Sequence, residues 1–210
     1  AVDRPSYIHS FALTDRYVVV TEPPFDVNPL RMARGRPFVE NFRWHPDEPT
    51  RFHVVDRHTG ERVAQLRTDP FFVFHHVNAY EGSDGEVVVD LVAFDDASII
   101  DALSLDRLRR HDIDPPGGEL RRFRLDVAGG TVDSARLHPG PLEFPMIDYR
   151  GRNTRRHRYV YGVGRAEGTG FLNCIKKIDV GTGASLTWVE PETYIETVME
   201  HGADLPPEAE

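Results

Sequence analysis

Short runs of β-branched and aromatic residues, each shut off by Gly, Pro or Asp, recur along the whole 210-residue chain, and this punctuation constrains the fold more than any other feature. Such runs are too short for amphipathic helices and suit strands joined by turns. Tyr17-Val18-Val19-Val20 stops at Glu22-Pro23-Pro24, and residues 51–56 and 61–67 flank a hairpin turn at Arg57-His58-Thr59-Gly60. Residues 85–94 contain too few polar groups for a half-exposed strand and predict one buried on both faces. Residues 119–127 and 132–137 form another hairpin across Gly129-Gly130, and 158–163, 170–179 and 185–190 supply three more strands.

Residues 26–37 are rich in Pro, Arg and Gly and read as a loop, with a helical turn around 30–33. The one helix is expected over residues 97–110, where Ile100, Leu103, Leu105 and Leu108 stand near helical spacing behind Asp95-Asp96. Roughly ten strands against one helix set the class as all-β. Four strands per ~45 residues fit the blades of a β-propeller better than a sandwich, with about four blades in a chain of this length. Residues 1–194 form this propeller portion, and 195–210 read as a divergent acidic, disordered tail.

A net charge of −9 argues against a nucleic-acid partner, because phosphate binding wants clustered positive charge. The Arg150, Arg152, Arg155, Arg156 and Arg158 cluster does not change this, since acidic residues elsewhere balance it. Cys174 is the single cysteine and leaves no internal disulfide. No apolar run reaches the ~18 residues of a membrane span and no signal peptide is legible, so a cytoplasmic location is expected.

Phe71-Phe72-Val73-Phe74-His75-His76-Val77-Asn78-Ala79-Tyr80-Glu81 sets two adjacent histidines in an apolar, aromatic run. A buried neutral imidazole must pair both ring nitrogens, through hydrogen bonds or a metal, because an unpaired polar group costs about 1–3 kcal/mol. His9 has a similar setting at the mouth of the next strand-like stretch. His45, His53, His58, His111, His138 and His157 show neither ligand spacing nor aromatic company and read as solvated.

Six blocks occur in one order: PSYIHSFALTDRYVVV, FFVFHHVNAYE, AFDDASIIDALSLDRLR, LEFPMIDYR, YVYGVG and SLTWVEPETY. Together they resemble the carotenoid cleavage oxygenase family. The resemblance implies part of a seven-bladed β-propeller with Fe(2+) on its axis, held by four histidines, and an enzyme that cleaves a carotenoid or apocarotenoid double bond with O2. It implies that His9 and His75 are metal ligands, with His76 in place of His75 if the register slips by one. Glu143, in the Glu-Phe-Pro block, is then the carboxylate that accepts a hydrogen bond from a ligand histidine. The complete protein is left room for peripheral membrane contact.

Two of the four family histidines have no counterpart in this sequence, and residues 196–201 depart from the family pattern. His201 is no substitute. The activity of these 210 residues by themselves is therefore left open. The alternatives are a catalytically inactive truncated remnant, or a metal-free propeller binding module whose histidines merely pair with Glu143 and backbone groups.

Overall fold

A computed structural model describes residues 4–32, 35, 37–110, 114–166 and 172–189. The expected tail, His201, His111 and part of the expected strand at 170–179 lie outside the described residues.

The first sheet has β1 (Ala12–Leu13) and β2 (Tyr17–Glu22), then β5 (Thr50–Asp56) and β6 (Arg62–Thr68). Between β2 and β5 the chain makes a separate two-stranded sheet, β3 (Phe25–Val27) with β4 (Phe42–Trp44), joined through a four-residue helix α1 (Pro29–Met32) and a 3-10 turn (Phe38–Asn41). The second sheet runs β7 (Phe72–Glu81), β8 (Val87–Phe94), β9 (Glu119–Asp126) and β10 (Thr131–His138). The third runs β11 (Leu142–Met146), β12 (Tyr159–Gly164), β13 (Cys174–Asp179) and β14 (Ser185–Val189). Every pairing is antiparallel between neighbours in the order given, so each four-stranded sheet is an up-and-down propeller blade. About four blades were expected; the described residues form three four-stranded blades, and the fourth sheet is only the two-stranded β3–β4 pair inserted between β2 and β5.

The turns between the third and fourth strands of the blades share one device. Asp56, Asp126 and Asp179 each accept a backbone N–H of the turn on a carboxylate oxygen, at 2.9, 2.7 and 2.9 Å. The glycine four residues on donates to the same aspartate's carbonyl from the left-handed region, with φ of 73°, 75° and 76° at Gly60, Gly130 and Gly183. Glycine adopts that conformation without the Cβ clash other residues meet.

β8 is buried at every position because it lies between two cores. Val87, Val89, Leu91 and Ala93 join Val19, Phe52, Val54 and Phe123 between the first two blades. Val92 and Phe94 point the other way, to Leu142, Val160 and Ile178 of the third blade. Side chains alternate across a strand, so both faces call for apolar residues, and the one charge, Asp90, is met by Arg122. β7 touches β1 on one side and β11 on the other, which sets the first strands of the three blades side by side.

The expected helix over 97–110 is two short ones, α2 (Ser98–Ala102) and α3 (Leu105–Arg110). The apolar spacing explains the break. The step from Leu103 to Leu105 is two residues, which no helix face provides. Ile99 and Ala102 are buried, whereas Leu105 is 67% exposed. Ser104 bonds back only to Asp101 and starts the next turn with its own carbonyl.

Candidate functional site

The site is built on β7 and the two strands beside it. Pairing of β7 with β8 loses register between Val73 and His76 and again between His76 and Asn78. Such bulges re-aim side chains. His75 faces Glu143 on β11, while His76 faces the first blade.

The His75 Nδ1–H donates to Glu143 Oε2 at 2.5 Å. The same oxygen accepts the backbone N–H of Phe144 at 2.8 Å. Phe144 holds φ at 49°, a costly conformation for a bulky residue, and its ring lies 5.2 Å from that of His75. Glu143 Oε1 is buried with no hydrogen-bond partner among the described residues. Because Nδ1 carries the proton, Nε2 of His75 holds the lone pair.

His9 precedes β1, and its ring centre lies 4.9 Å from that of His75 at an interplanar angle of 87°. Tyr7 Oη lies 3.3 Å from His9 Nδ1, and the Phe74 ring stands 5.4 Å away. Burial lowers the His9 pKa below the usual imidazole value and His75 adds to this, against an opposing pull from Glu143. His9 is therefore a neutral donor near pH 7.

His76 is paired at both nitrogens. Ser10 Oγ lies 2.7 Å from its Nδ1 and Thr21 Oγ1 2.8 Å from its Nε2. Burial and the neighbouring His75 push its pKa down to about 3. With no lone pair to spare, His76 is not the available donor of the adjacent pair.

His9, His75 and Glu143 border a cavity of about 260 Å³ walled by Phe74, Phe94, Ile99, Leu103, Leu142 and Phe144. Two imidazoles bound to one ion at metal–nitrogen distances of about 2.0–2.1 Å have ring centres no more than roughly 6.5 Å apart. The 4.9 Å between His9 and His75 lies within that reach, and both are neutral nitrogen donors of the kind a metal takes. Among the described residues no group of three or more His, Cys, Asp or Glu side chains is placed to hold an ion, so the described residues offer His9 and His75 as a pair of donors.

Sequence reasoning missed Ser10, Thr21 and Tyr7. Ser10 stood in plain view beside His9, but a serine in a strand-like block carries no chemical signal of its own. It also misjudged three histidines. His53, His138 and His157 are 8%, 8% and 4% exposed, not solvated. His53 Nε2 pairs with Glu22, the His138 Nδ1–H donates to Gly183 O at 3.2 Å, and His157 Nε2 lies 3.2 Å from Asp90 Oδ2. All three partners are remote in sequence. His58 is exposed, as expected.

The end of the His75 block holds the blades together. Asn78 Nδ2 donates to the carbonyls of Arg152 and Arg155 at 3.0 and 2.8 Å, and its Oδ1 accepts the Thr154 N–H at 3.1 Å. Glu81 accepts the Thr14 hydroxyl at 2.5 Å and the Arg16 N–H at 3.0 Å. The blocks around His9 and His75 are thus docked along their length.

The sequence matches the family model described as retinal pigment epithelial membrane protein over residues 1–200. It is 32% identical over 202 residues to the carotenoid isomerooxygenase of Galleria mellonella, covering 90% of this chain and 39% of that protein. It is 30% identical over 227 residues to the beta,beta-carotene 15,15'-dioxygenase of Homo sapiens, covering 90% of this chain and 41% of that one. Cobalt-substituted apocarotenoid oxygenase of Synechocystis superposes with a TM-score of 0.75 at 29% identity, covering 88% of this chain and 38% of the other. The chain spans about two fifths of the length of the curated relatives it matches. With the match running through all three blades and both histidine blocks, the chain belongs to the retinal pigment epithelial membrane protein family, that of the carotenoid oxygenases.

Proposed function

We propose that this chain is the portion of a non-haem iron(II) dioxygenase that carries two of the metal's histidine ligands, in an enzyme that cleaves one double bond of a carotenoid or apocarotenoid with O2. The observation that carries this reading is the His9–His75 pair, 4.9 Å apart and braced by Glu143, at the edge of an apolar cavity. That a similar solved structure is of a cobalt-substituted protein supports a metal in this chain's complete protein.

His9 and His75 would hold the ion, and iron bound there supplies the binding and activation of O2. Glu143 keeps the His75 proton on Nδ1, which fixes the tautomer and turns the Nε2 lone pair outward. Phe74, Phe94, Leu142 and Phe144 take up the polyene by apolar contact and exclude water from it. Cleaving one C=C with one O2 leaves one oxygen atom on each of two carbonyl products. Leu30 and Phe38, 81% and 59% exposed on the insertion between β3 and β4, support peripheral contact with a lipid surface, a natural source of so apolar a substrate.

The test is apocarotenoid turnover by the protein that carries this chain, beside its His75→Ala variant. Loss of the polyene's visible absorbance with two carbonyl products, abolished in the variant, is expected. An unchanged polyene contradicts the reading.

A second reading, a metal-free propeller module that binds polyenes, rests on the His75–Glu143 hydrogen bond, which is made without any ion. In it His75 and Glu143 only pair with each other. Polyene binding is then indifferent to chelators, whereas turnover under the first reading is not.

A further inference from the structure

The Ser10 side chain makes three contacts, all with the strand segment that carries His75. Its Oγ lies 2.7 Å from the Phe74 carbonyl oxygen, 2.7 Å from His76 Nδ1 and 3.0 Å from the His76 backbone nitrogen. A hydroxyl has one proton to give. The Phe74 oxygen is acceptor only, so it takes that proton. The His76 backbone N–H is donor only, so Ser10 accepts it. His76 Nδ1 must then carry a proton and donate to Ser10, which leaves Nε2 to accept from the Thr21 hydroxyl at 2.8 Å. One tautomer satisfies every polar atom in the group, and the other leaves Phe74 O facing an oxygen without a proton between them.

The two peptide groups that Ser10 grips are those on either side of His75. The β7–β8 ladder loses register at this point, so these groups need a partner from elsewhere. That partner is the residue next to His9. One side chain therefore joins the backbone at His9 to the backbone on both sides of His75.

We propose that Ser10 is a positioning residue that sets the spacing between His9 and His75, with His76 and Thr21 fixing the direction of its hydroxyl. The inference rests on the reading of His9 and His75 as metal ligands. The pair belongs to two blades, and among the described residues Ser10 is the side chain next to His9 that bonds both peptides of His75. If Ser10 sets the spacing, its loss loosens the pair without removing a donor.

Two measurements test this on the whole 210-residue chain. The first needs no metal: nitrogen-15 NMR of the His76 ring reads its tautomer directly, and Nδ1–H is expected. A ring protonated at Nε2 overturns the inference whatever the metal does. The second is titration with Co(II), followed by the cobalt absorption bands, for the unsubstituted chain, Ser10→Ala and Ser10→Thr. Removing a group that orients a ligand lowers metal affinity by about 10–100-fold, and Ser10→Ala is expected to fall in that range while Ser10→Thr, which keeps the hydroxyl, binds nearly as the parent. Thermal melts of the three proteins establish that each is folded at the titration temperature. Equal affinity and equal bands in folded Ser10→Ala overturn the inference and leave the ligand reading standing. No Co(II) bound by the unsubstituted chain overturns the ligand reading, and the inference with it.

Discussion

The Nδ1–H of His75, on β7, donates across 2.5 Å to Glu143 Oε2, on β11, so one hydrogen bond joins the inner strands of two blades. Glu143→Gln keeps the side-chain volume and an oxygen acceptor but removes the anion that holds the His75 proton on Nδ1. The fold should survive, and Co(II) affinity measured by calorimetry should fall by roughly tenfold or more. Undiminished affinity in this variant would show that the carboxylate only links the blades.

Asp90 is the most deeply buried charge of the molecule's described part. Arg122 meets it with two bonds of 2.8 Å, and His157 stands 3.2 Å away. Removing one partner of such a pair leaves a buried charge uncompensated. Arg122→Ala should lose about 3–5 kcal/mol in urea unfolding. A loss well under 1 kcal/mol would mean that water or another cation replaces the guanidinium.

The same pair sets a pH dependence. Burial alone raises the Asp90 pKa, but Arg122 and then His157 outweigh it and hold the carboxyl below its ordinary 3.8. A folded-state pKa below the unfolded value means stability that is present above the ordinary carboxylate range and lost as pH falls through the folded value. Unfolding titrations of the parent should therefore steepen below about pH 4, and Asp90→Asn paired with Arg122→Met should flatten that part of the profile. Parallel profiles for the two proteins would count against the assignment.

Gly130 sits at φ 75° with nothing within 4 Å of where a Cβ would stand. Its replacement by alanine meets no neighbour, so the cost is that of the left-handed backbone, about 1–2 kcal/mol by thermal or urea unfolding. Gly60 has the same open surroundings and should lose a similar amount. A neutral Gly130→Ala would mean that the turn changes shape at no cost.

These turns also show where sequence reading ran out. The strands at β2, β5, β8, β9 and β12 were legible because valine, phenylalanine and isoleucine cluster between Gly and Pro. The burial of β8 on both faces followed from its having too few polar residues for a half-exposed strand, Asp90 alone among Val87–Phe94. The hairpins at Gly60 and at Gly129-Gly130 were legible, but the Asp-to-Gly device they share with Asp179–Gly183 was hidden, because insertions of unequal length separate Asp56, Asp126 and Asp179 and blur any period. The helix prediction failed at Leu103–Leu105 because near-helical spacing hid a two-residue step.

At the site, the resemblance pointed to His9, His75 and Glu143, and the structure brings those three together. Composition could not find the partners of His53, His138 and His157, since each pairing joins residues far apart in the chain. Nor could it find Ser10, whose role depends on a bulge in a strand more than sixty residues away.

The central claim is that His9 and His75 hold one metal ion. The most direct measurement is the iron content of the purified chain after anaerobic loading with Fe(II) and removal of free metal, beside His75→Ala treated identically. The account predicts close to one iron per chain in the parent and little in the variant. Equal iron in both, or none in either, would contradict it.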